Sequence, residues 1–276
     1  MQSDAVPPKP AANDAALTIA EPAAGPAAAG GELDGAGEAL DKSSGRVREM
    51  FAQIAQRYDL LNRLLSLGID RSWRARATRL APPQGEDPIL DLCTGTADLA
   101  LAYWRASREP TPIVGADFCR PMLALGREKV YRAGASHRVQ LIEADALRLP
   151  LPSNAFQIVC VAFGLRNLSD TDAGLREMAR VCKPGGRVVV LEFSLPRRRP
   201  LKALYHVYFR WLLPRIGQTL ARNAQRAYNY LPQSVAQFPQ AEALAERMRA
   251  AGLGPVHLHP LSLGIVTLYI AHKPAA

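Results

Sequence analysis

The residues best placed to do chemistry stand where short apolar runs end. "PILDLCTG" (88–95) delivers Asp91 and then a turn of small residues. "TPIVGAD" (111–117) ends on Asp117, "VQLIEADA" (139–146) on Asp145 and Ala146, and "RVVVLEFS" (187–194) on Glu192 and Ser194. "FQIVCVAFG" (156–164) runs straight into Arg166 and Asn167. Four of these five ends carry a carboxylate, a regularity that solvation alone does not require.

In the first turn, "CTGTAD" (93–98), Gly95 lets the backbone approach a ligand closely and Thr96 offers an amide and a hydroxyl. Neither G-x-G-x-x-G nor G-x-x-x-x-G-K-[ST] is present, so the turn is no phosphate cradle. An acid ahead of a tight turn suits a ligand with an amino-acid tail, whose ammonium needs an acceptor. Asp117, about 26 residues after Asp91, stands where nucleotide sites accept hydrogen bonds from ribose hydroxyls. It is also suited to cap the helix that starts near Pro121. Asp145 and Ala146 can meet an adenine amino group, or form a solvated loop. Acids at three successive strand ends match an adenosyl ligand lying across a sheet edge. NAD and S-adenosylmethionine (SAM) both carry that ribose; the missing glycine fingerprint argues against the first. Arg166 either meets a charge formed during a reaction or braces the next helix through Asp170 or Asp172.

These ends must be held by a sheet. Apolar runs alternate with helical stretches such as 96–106, 120–134 and 170–186, the last closed by Pro184 and two glycines. Strand–helix alternation with fully apolar strands predicts a parallel sheet with helices on both faces. Two consecutive runs at the end, 254–261 and 264–273, predict a closing antiparallel pair. The expected fold is α/β: a Rossmann-like, class I SAM-dependent methyltransferase with a mostly parallel sheet and a terminal antiparallel strand pair. Residues 45–80 carry Val47, Met50, Phe51, Ile54, Leu61 and Leu64 at helical spacing and read as a helical lid, broken near Tyr58-Asp59 and at Gly68.

The chain has 276 residues, 48% hydrophobic and 21% charged, with net charge +9 and a pI near 9.7. That balance is compatible with an acidic partner, but scattered arginines without zinc-finger or RNA-binding patterns exclude a nucleic-acid reader. Residues 1–44 are rich in Ala, Pro and Gly, without arginine, and cannot bury enough surface to offset ordering entropy. They read as a disordered tail before a methyltransferase domain at 45–276. No signal peptide, transit peptide or spanning run is legible, so a cytoplasmic protein is expected. Cys93, Cys119, Cys160 and Cys182 lie too far apart for a disulfide or zinc set and read as reduced thiols. No metal site is expected.

"YDLLNRLLSLGIDRSW" (58–73), "FGLRNLSD" (163–170) and "RVCKPGGRVVVLEFSLP" (180–196) together resemble the UbiE family of ubiquinone/menaquinone biosynthesis C-methyltransferases. The resemblance spans about residues 46 to 273 and takes in the tail "LPRIGQTLARNAQRAYNYLPQSVAQFP" (213–239). It implies SAM as methyl donor and a polyprenylated quinol as substrate: demethylmenaquinol, the ubiquinone precursor 2-polyprenyl-6-methoxy-benzoquinol, or both, with demethylmenaquinol the first expectation. It also implies SAM contacts at Thr96, Asp117, Asp145 and Ala146, and at Ala162, where many members have serine. Ala97 replaces a usual glycine, and Asp70 and Leu61 replace a usual histidine and methionine.

Methylation at a ring carbon requires a quinol losing its phenolic proton. The resemblance therefore implies that Arg166 stabilises phenolate charge while Asn167 orients the oxygen or a water, with Tyr58 and Asp59 as further substrate contacts. The basic, aromatic stretch 196–217, within an expected helical insertion at 196–240, can rest on an anionic bilayer or roof a lipid pocket. Peripheral contact with the inner face of the membrane, a homo-oligomer and a complex of quinone-synthesis enzymes are all compatible with it. Against this reading stand a SAM methyltransferase of another small molecule and a non-catalytic scaffold.

Overall fold

The structure is a computed structural model that describes residues 42–196 and 225–275. The stretch 1–41 and most of the basic, aromatic segment 196–217 lie outside the described residues.

Helices α1 (Ser44–Ser66) and α2 (Asp70–Leu80) precede the sheet. In α1, Val47, Ile54 and Leu61 recur every seven residues and are buried, giving the helix one inward face. The helix runs unbroken through Tyr58 and Asp59, against the sequence expectation, because both side chains are held from the inward side. It ends where expected: Leu67 turns left-handed and Gly68 N–H donates to Arg63 O at 2.8 Å.

Strand β1 (Ile89–Leu92), α3 (Asp98–Ala106), β2 (Ile113–Asp117), α4 (Arg120–Arg132) and β3 (Val139–Glu143) follow. Then come β4 (Phe156–Ala162), a 3-10 turn (Leu165–Asn167), α5 (Thr171–Val181) and β5 (Cys182–Phe193). The chain closes with α6 (Gln225–Gln237), α7 (Glu242–Ala250), β6 (Val256–Leu261) and β7 (Val266–His272). The strand order is β3-β2-β1-β4-β5-β7-β6, all parallel except β7, which is antiparallel to both neighbours. The order reverses between β1 and β4, so the carboxyl ends of these two strands flank the switch point where ligands bind.

Two apolar layers sandwich the sheet, as alternating side chains require. Leu90, Val159, Val161, Val188 and Val190 pack on one face with Leu175 of α5 and Met248 of α7. Ile89, Ile158, Cys160, Val189 and Leu191 pack on the other with Trp73 of α2 and Tyr103 of α3.

Two sequence boundaries move. The helix expected to reach Gly186 stops at Val181, because "CKPGG" is already strand: Gly185 N–H donates to Lys273 O, and Lys273 N–H to Gly186 O. The third strand stops at Glu143, leaving Asp145 in a turn whose Leu147 N–H donates to its carboxylate at 2.9 Å. The four cysteines are free thiols. No described helix is long and apolar enough to cross a membrane.

Candidate active site

The β1–α3 turn is built from left-handed residues. Cys93, Gly95 and Ala97 have φ of 52°, 56° and 65°. For glycine this is free; for buried Ala97 it costs about 1–2 kcal/mol, so alanine here keeps the turn at the cost of strain. Asp91 organises the turn from behind: its carboxylate accepts from Thr94 Oγ1 at 2.6 Å and Ala100 N–H at 3.0 Å. Burial raises its pKa to about 7, against the pull of those hydrogen bonds. It does not line the cavity beyond the strands, so the expected ammonium acceptor is instead a turn-former.

Asp117 is not the cap residue of α4, and its carboxylate is already engaged by two backbone amides while it borders the cavity. It is buried, accepts from Gly95 N–H at 2.9 Å and from Cys119 N–H at 2.8 Å, and Cys119 rather than Asp117 is the residue that caps α4. Its carboxylate thus ties β2 to the β1–α3 turn and borders the cavity. Burial raises its pKa.

Above the switch point lie two adjoining cavities. The first is bordered by Gly95, Asp117, Asp145, Ala146, Ala162 and Asn167, all named as site residues from the sequence. Cys93, Phe118 and Gly164, which were not singled out, complete its floor. Gly164 is required by space: a Cβ there would collide with Cys93 Cβ and stand 3.1 Å from Val161 Cγ2. Met50, Ile54, Trp73, Phe193 and Leu231 are among the apolar residues that line the second cavity, with Asn62, Ser66, Asp70, Arg74, Arg166 and Tyr230 as polar members. Phe51, Tyr58 and Phe163 border both cavities and form the partition between them. Phe163 holds a left-handed φ of 59°, a strain often found at functional sites.

Arg166 and Asn167 are neighbours in sequence but face different cavities. Arg166 does not brace Asp170 or Asp172. It is buried and donates through Nη1 to Glu192 Oε2 at 2.9 Å and to Phe163 O, with its guanidinium 5.4 Å from the centre of the Phe193 ring. Its Nε is buried with no partner among the described residues, as is Oδ1 of Asn167. Asp170 caps α5 through Ala173 N–H.

Thr96 and Asp59 turn away from both cavities. Thr96 Oγ1 donates to Asp59 Oδ1 at 2.7 Å, and Lys129 Nζ of α4 binds Asp59 Oδ2 at 2.8 Å, Thr96 Oγ1 at 3.0 Å and the Asp98 carboxylate. Arg74 joins this cluster through Asp70 and Asp98. The "YD" pair is therefore split: Tyr58 forms the partition, while Asp59 fastens α1 to the turn. The departures Leu61 and Asp70 are accounted for locally, Leu61 by core packing and Asp70 by the Arg74 ion pair.

A family model described as the ubiE/COQ5 methyltransferase family matches residues 39–273. The chain belongs to that family. It is a SAM-dependent methyltransferase. It is 47% identical over 226 residues to the demethylmenaquinone methyltransferase of Thermus thermophilus, covering 82% of this chain and 100% of the relative. It is 42% identical over 234 residues to the ubiquinone/menaquinone biosynthesis C-methyltransferase UbiE of Geobacter sulfurreducens, covering 85% and 91%. Among solved structures, a SAM-dependent methyltransferase from Thermotoga maritima superposes with a TM-score of 0.57 at 16% identity, covering 82% of this chain and 99% of that one. That likeness is one of fold.

The first cavity of this methyltransferase suits its donor. It has a tight glycine turn, buried Asp117 at the β2 end, Asp145 at the rim and an unpartnered carboxamide oxygen of Asn167.

Proposed function

We propose that this chain methylates a ring carbon of a polyprenylated quinol, demethylmenaquinol, with SAM as donor. The names of the Thermus and Geobacter relatives support a quinone substrate. The observation that carries the reading is the adjacency of the two cavities across Phe51, Tyr58 and Phe163, with strand-end residues on one side and the buried guanidinium of Arg166 on the other.

SAM supplies an electrophilic methyl group. Gly95, Asp117, Asp145, Ala146 and Ala162 would hold it in the first cavity, with Asn167 accepting through Oδ1. The quinol ring enters the second cavity, whose aromatic and aliphatic lining suits an aromatic ring. A neutral quinol carbon is a poor nucleophile, and a phenolate makes its ortho carbon a good one; the phenolic proton passes to a water, the ring carbon takes the methyl and the donor leaves as a neutral thioether. Arg166, held rigid by Glu192 and Phe163, presents Nε to that developing charge. A fixed cation aimed at charge formed in the transition state is commonly worth about 3–4 kcal/mol. An arginine stays protonated, so it acts by electrostatics rather than as the base. Burial raises the phenol pKa of Tyr58, against the pull of its hydrogen bond with Asn62 and of Arg166 and Arg74. Lys42 adds to this positive field; burial, then Arg166, lowers its pKa.

The prenylated acceptor resides in lipid, so we place the enzyme at the inner face of the membrane, with 196–217 as the contact. Co-sedimentation with anionic and neutral vesicles tests that placement. The function itself is tested by transfer from labelled SAM, under reducing conditions, to demethylmenaquinol and separately to 2-polyprenyl-6-methoxy-benzoquinol. Label in the first supports the reading; label only in the second moves the enzyme to ubiquinone synthesis. SAM binding without transfer to either overturns it.

A further inference from the structure

Among the described residues four buried side-chain polar atoms have no hydrogen-bond partner, and two of them belong to the same cavity. One is Nε of Arg166. The other is the hydroxyl of Tyr230, on α6, a residue far from every strand end in sequence. The remaining polar groups around that cavity are satisfied within the protein. Arg166 Nη1 is held by Glu192, Arg74 by Asp70, and Asp70 also accepts from Ser66 at 2.8 Å. Tyr58 bonds Asn62. Buried polar atoms are almost always paired, and an exception in a cavity calls for a ligand atom. Nε can only donate, whereas a tyrosine hydroxyl both donates and accepts. The missing complement is therefore an oxygen-bearing ring that accepts from one and exchanges a hydrogen bond with the other, beside the aromatic and aliphatic lining.

We propose that Tyr230 is a substrate-binding residue whose hydroxyl, together with the free Nε of Arg166, grips the ring oxygens of the acceptor and thereby fixes which ring carbon faces the methyl donor. This rests on the quinol reading above. Burial raises the Tyr230 pKa, which keeps the phenol protonated and suits it to hydrogen bonding rather than to acting as a base. Tyr230 and Leu231 lie on α6, in the segment between β5 and β6, so α1, α2 and α6 each contribute a wall to the cavity.

The test compares wild type with Tyr230→Phe, which removes one oxygen and keeps the ring. Three readouts are taken: thermal midpoint, methyl transfer to demethylmenaquinol, and binding of an oxidised, short-tailed demethylnaphthoquinone that cannot accept a methyl group. Binding is followed by quenching of tryptophan fluorescence, since Trp73 lines the cavity. The variant is expected to bind the naphthoquinone about tenfold more weakly and to lose kcat/KM by a similar factor, as for one lost hydrogen bond. Its SAM affinity should stay unchanged and its thermal midpoint equal or higher, because an unpaired buried hydroxyl stabilises nothing. Unchanged binding and transfer, or a lower midpoint with unchanged binding, overturns the role of Tyr230 while leaving the quinol reading intact. Failure of wild type itself to bind the naphthoquinone or methylate the quinol overturns both.

Discussion

Lys129 Nζ lies 2.8 Å from Asp59 Oδ2, joining the helix after β2 to the N-terminal helix α1. Through the same ammonium, Thr96 and Asp98 of the β1–α3 turn are tied in. The residue before Asp59 is Tyr58, which partitions the two cavities. One cation therefore links α1 to the β1–α3 turn.

Lys129→Met removes that cation and leaves two carboxylates facing each other. The groups are about a quarter to a third exposed, 23% for Lys129, 33% for Asp59 and 32% for Asp98. The loss should lie between that of a surface pair and a buried one, about 1–3 kcal/mol. A thermal midpoint lower by roughly 3–10 °C is expected, with weaker SAM binding by calorimetry. In a double-mutant cycle Asp59→Asn should be far from additive with it.

Arg166→Ala strips the partner from a carboxylate, Glu192, that is 1% exposed in its side chain. That variant should lose about 3–5 kcal/mol of stability as well as activity, so its inactivity alone says little. The double variant Arg166→Met/Glu192→Gln avoids the orphaned charge. It should fold, bind SAM with wild-type affinity by calorimetry and lose about 10²–10³ in kcat. Retained kcat would remove Arg166 from the chemistry.

Asp91 gives stability a pH signature. Its folded pKa, raised by burial to about 7, lies above that of the unfolded chain, so the folded state holds its proton more tightly. Its contribution is fully present below the unfolded pKa of roughly 4, fades as pH rises towards 7 and is flat beyond. Asp91→Asn can keep both hydrogen bonds, since Thr94 and Ala100 donate to the same oxygen, Oδ2. Chemical denaturation between pH 5 and pH 8 should show a smaller loss of stability with rising pH for the variant than for wild type.

Two glycines at the site should respond to alanine in different degree. At Gly164 the added methyl meets Cys93 Cβ, an atom fixed to the backbone, so the strand ends must part. About 2–3 kcal/mol of destabilisation and loss of SAM binding are expected. At Gly95 the nearest atom is the flexible Met122 Cε at 3.4 Å, and the cost is mainly the left-handed φ of 56°, about 1–2 kcal/mol. Gly95→Ala should therefore still fold, with a modest shift in thermal midpoint.

The sequence by itself determined the α/β class, the parallel sheet and its antiparallel close, because strand and helix periods are local and each apolar run fills one sheet position. It also determined which strand ends border the donor cavity, since a parallel sheet sends all of them to one edge: Gly95, Asp117, Asp145, Ala146 and Ala162 all stand there. Direction of side chains was not legible. Asp91 turned inward to Thr94 of its own turn and Ala100 of α3, and Asp59 turned to Lys129, about 70 residues away in sequence. The partner of Arg166 was Glu192, which is distant in sequence and close only because β4 and β5 are adjacent. Tyr230 lies in the stretch 213–239 that carries part of the family resemblance, but nothing in that stretch marks its hydroxyl as a site group. A tyrosine in a helix becomes a site residue only when packing buries its hydroxyl beside a cavity without giving it a partner, and that is decided by tertiary structure alone.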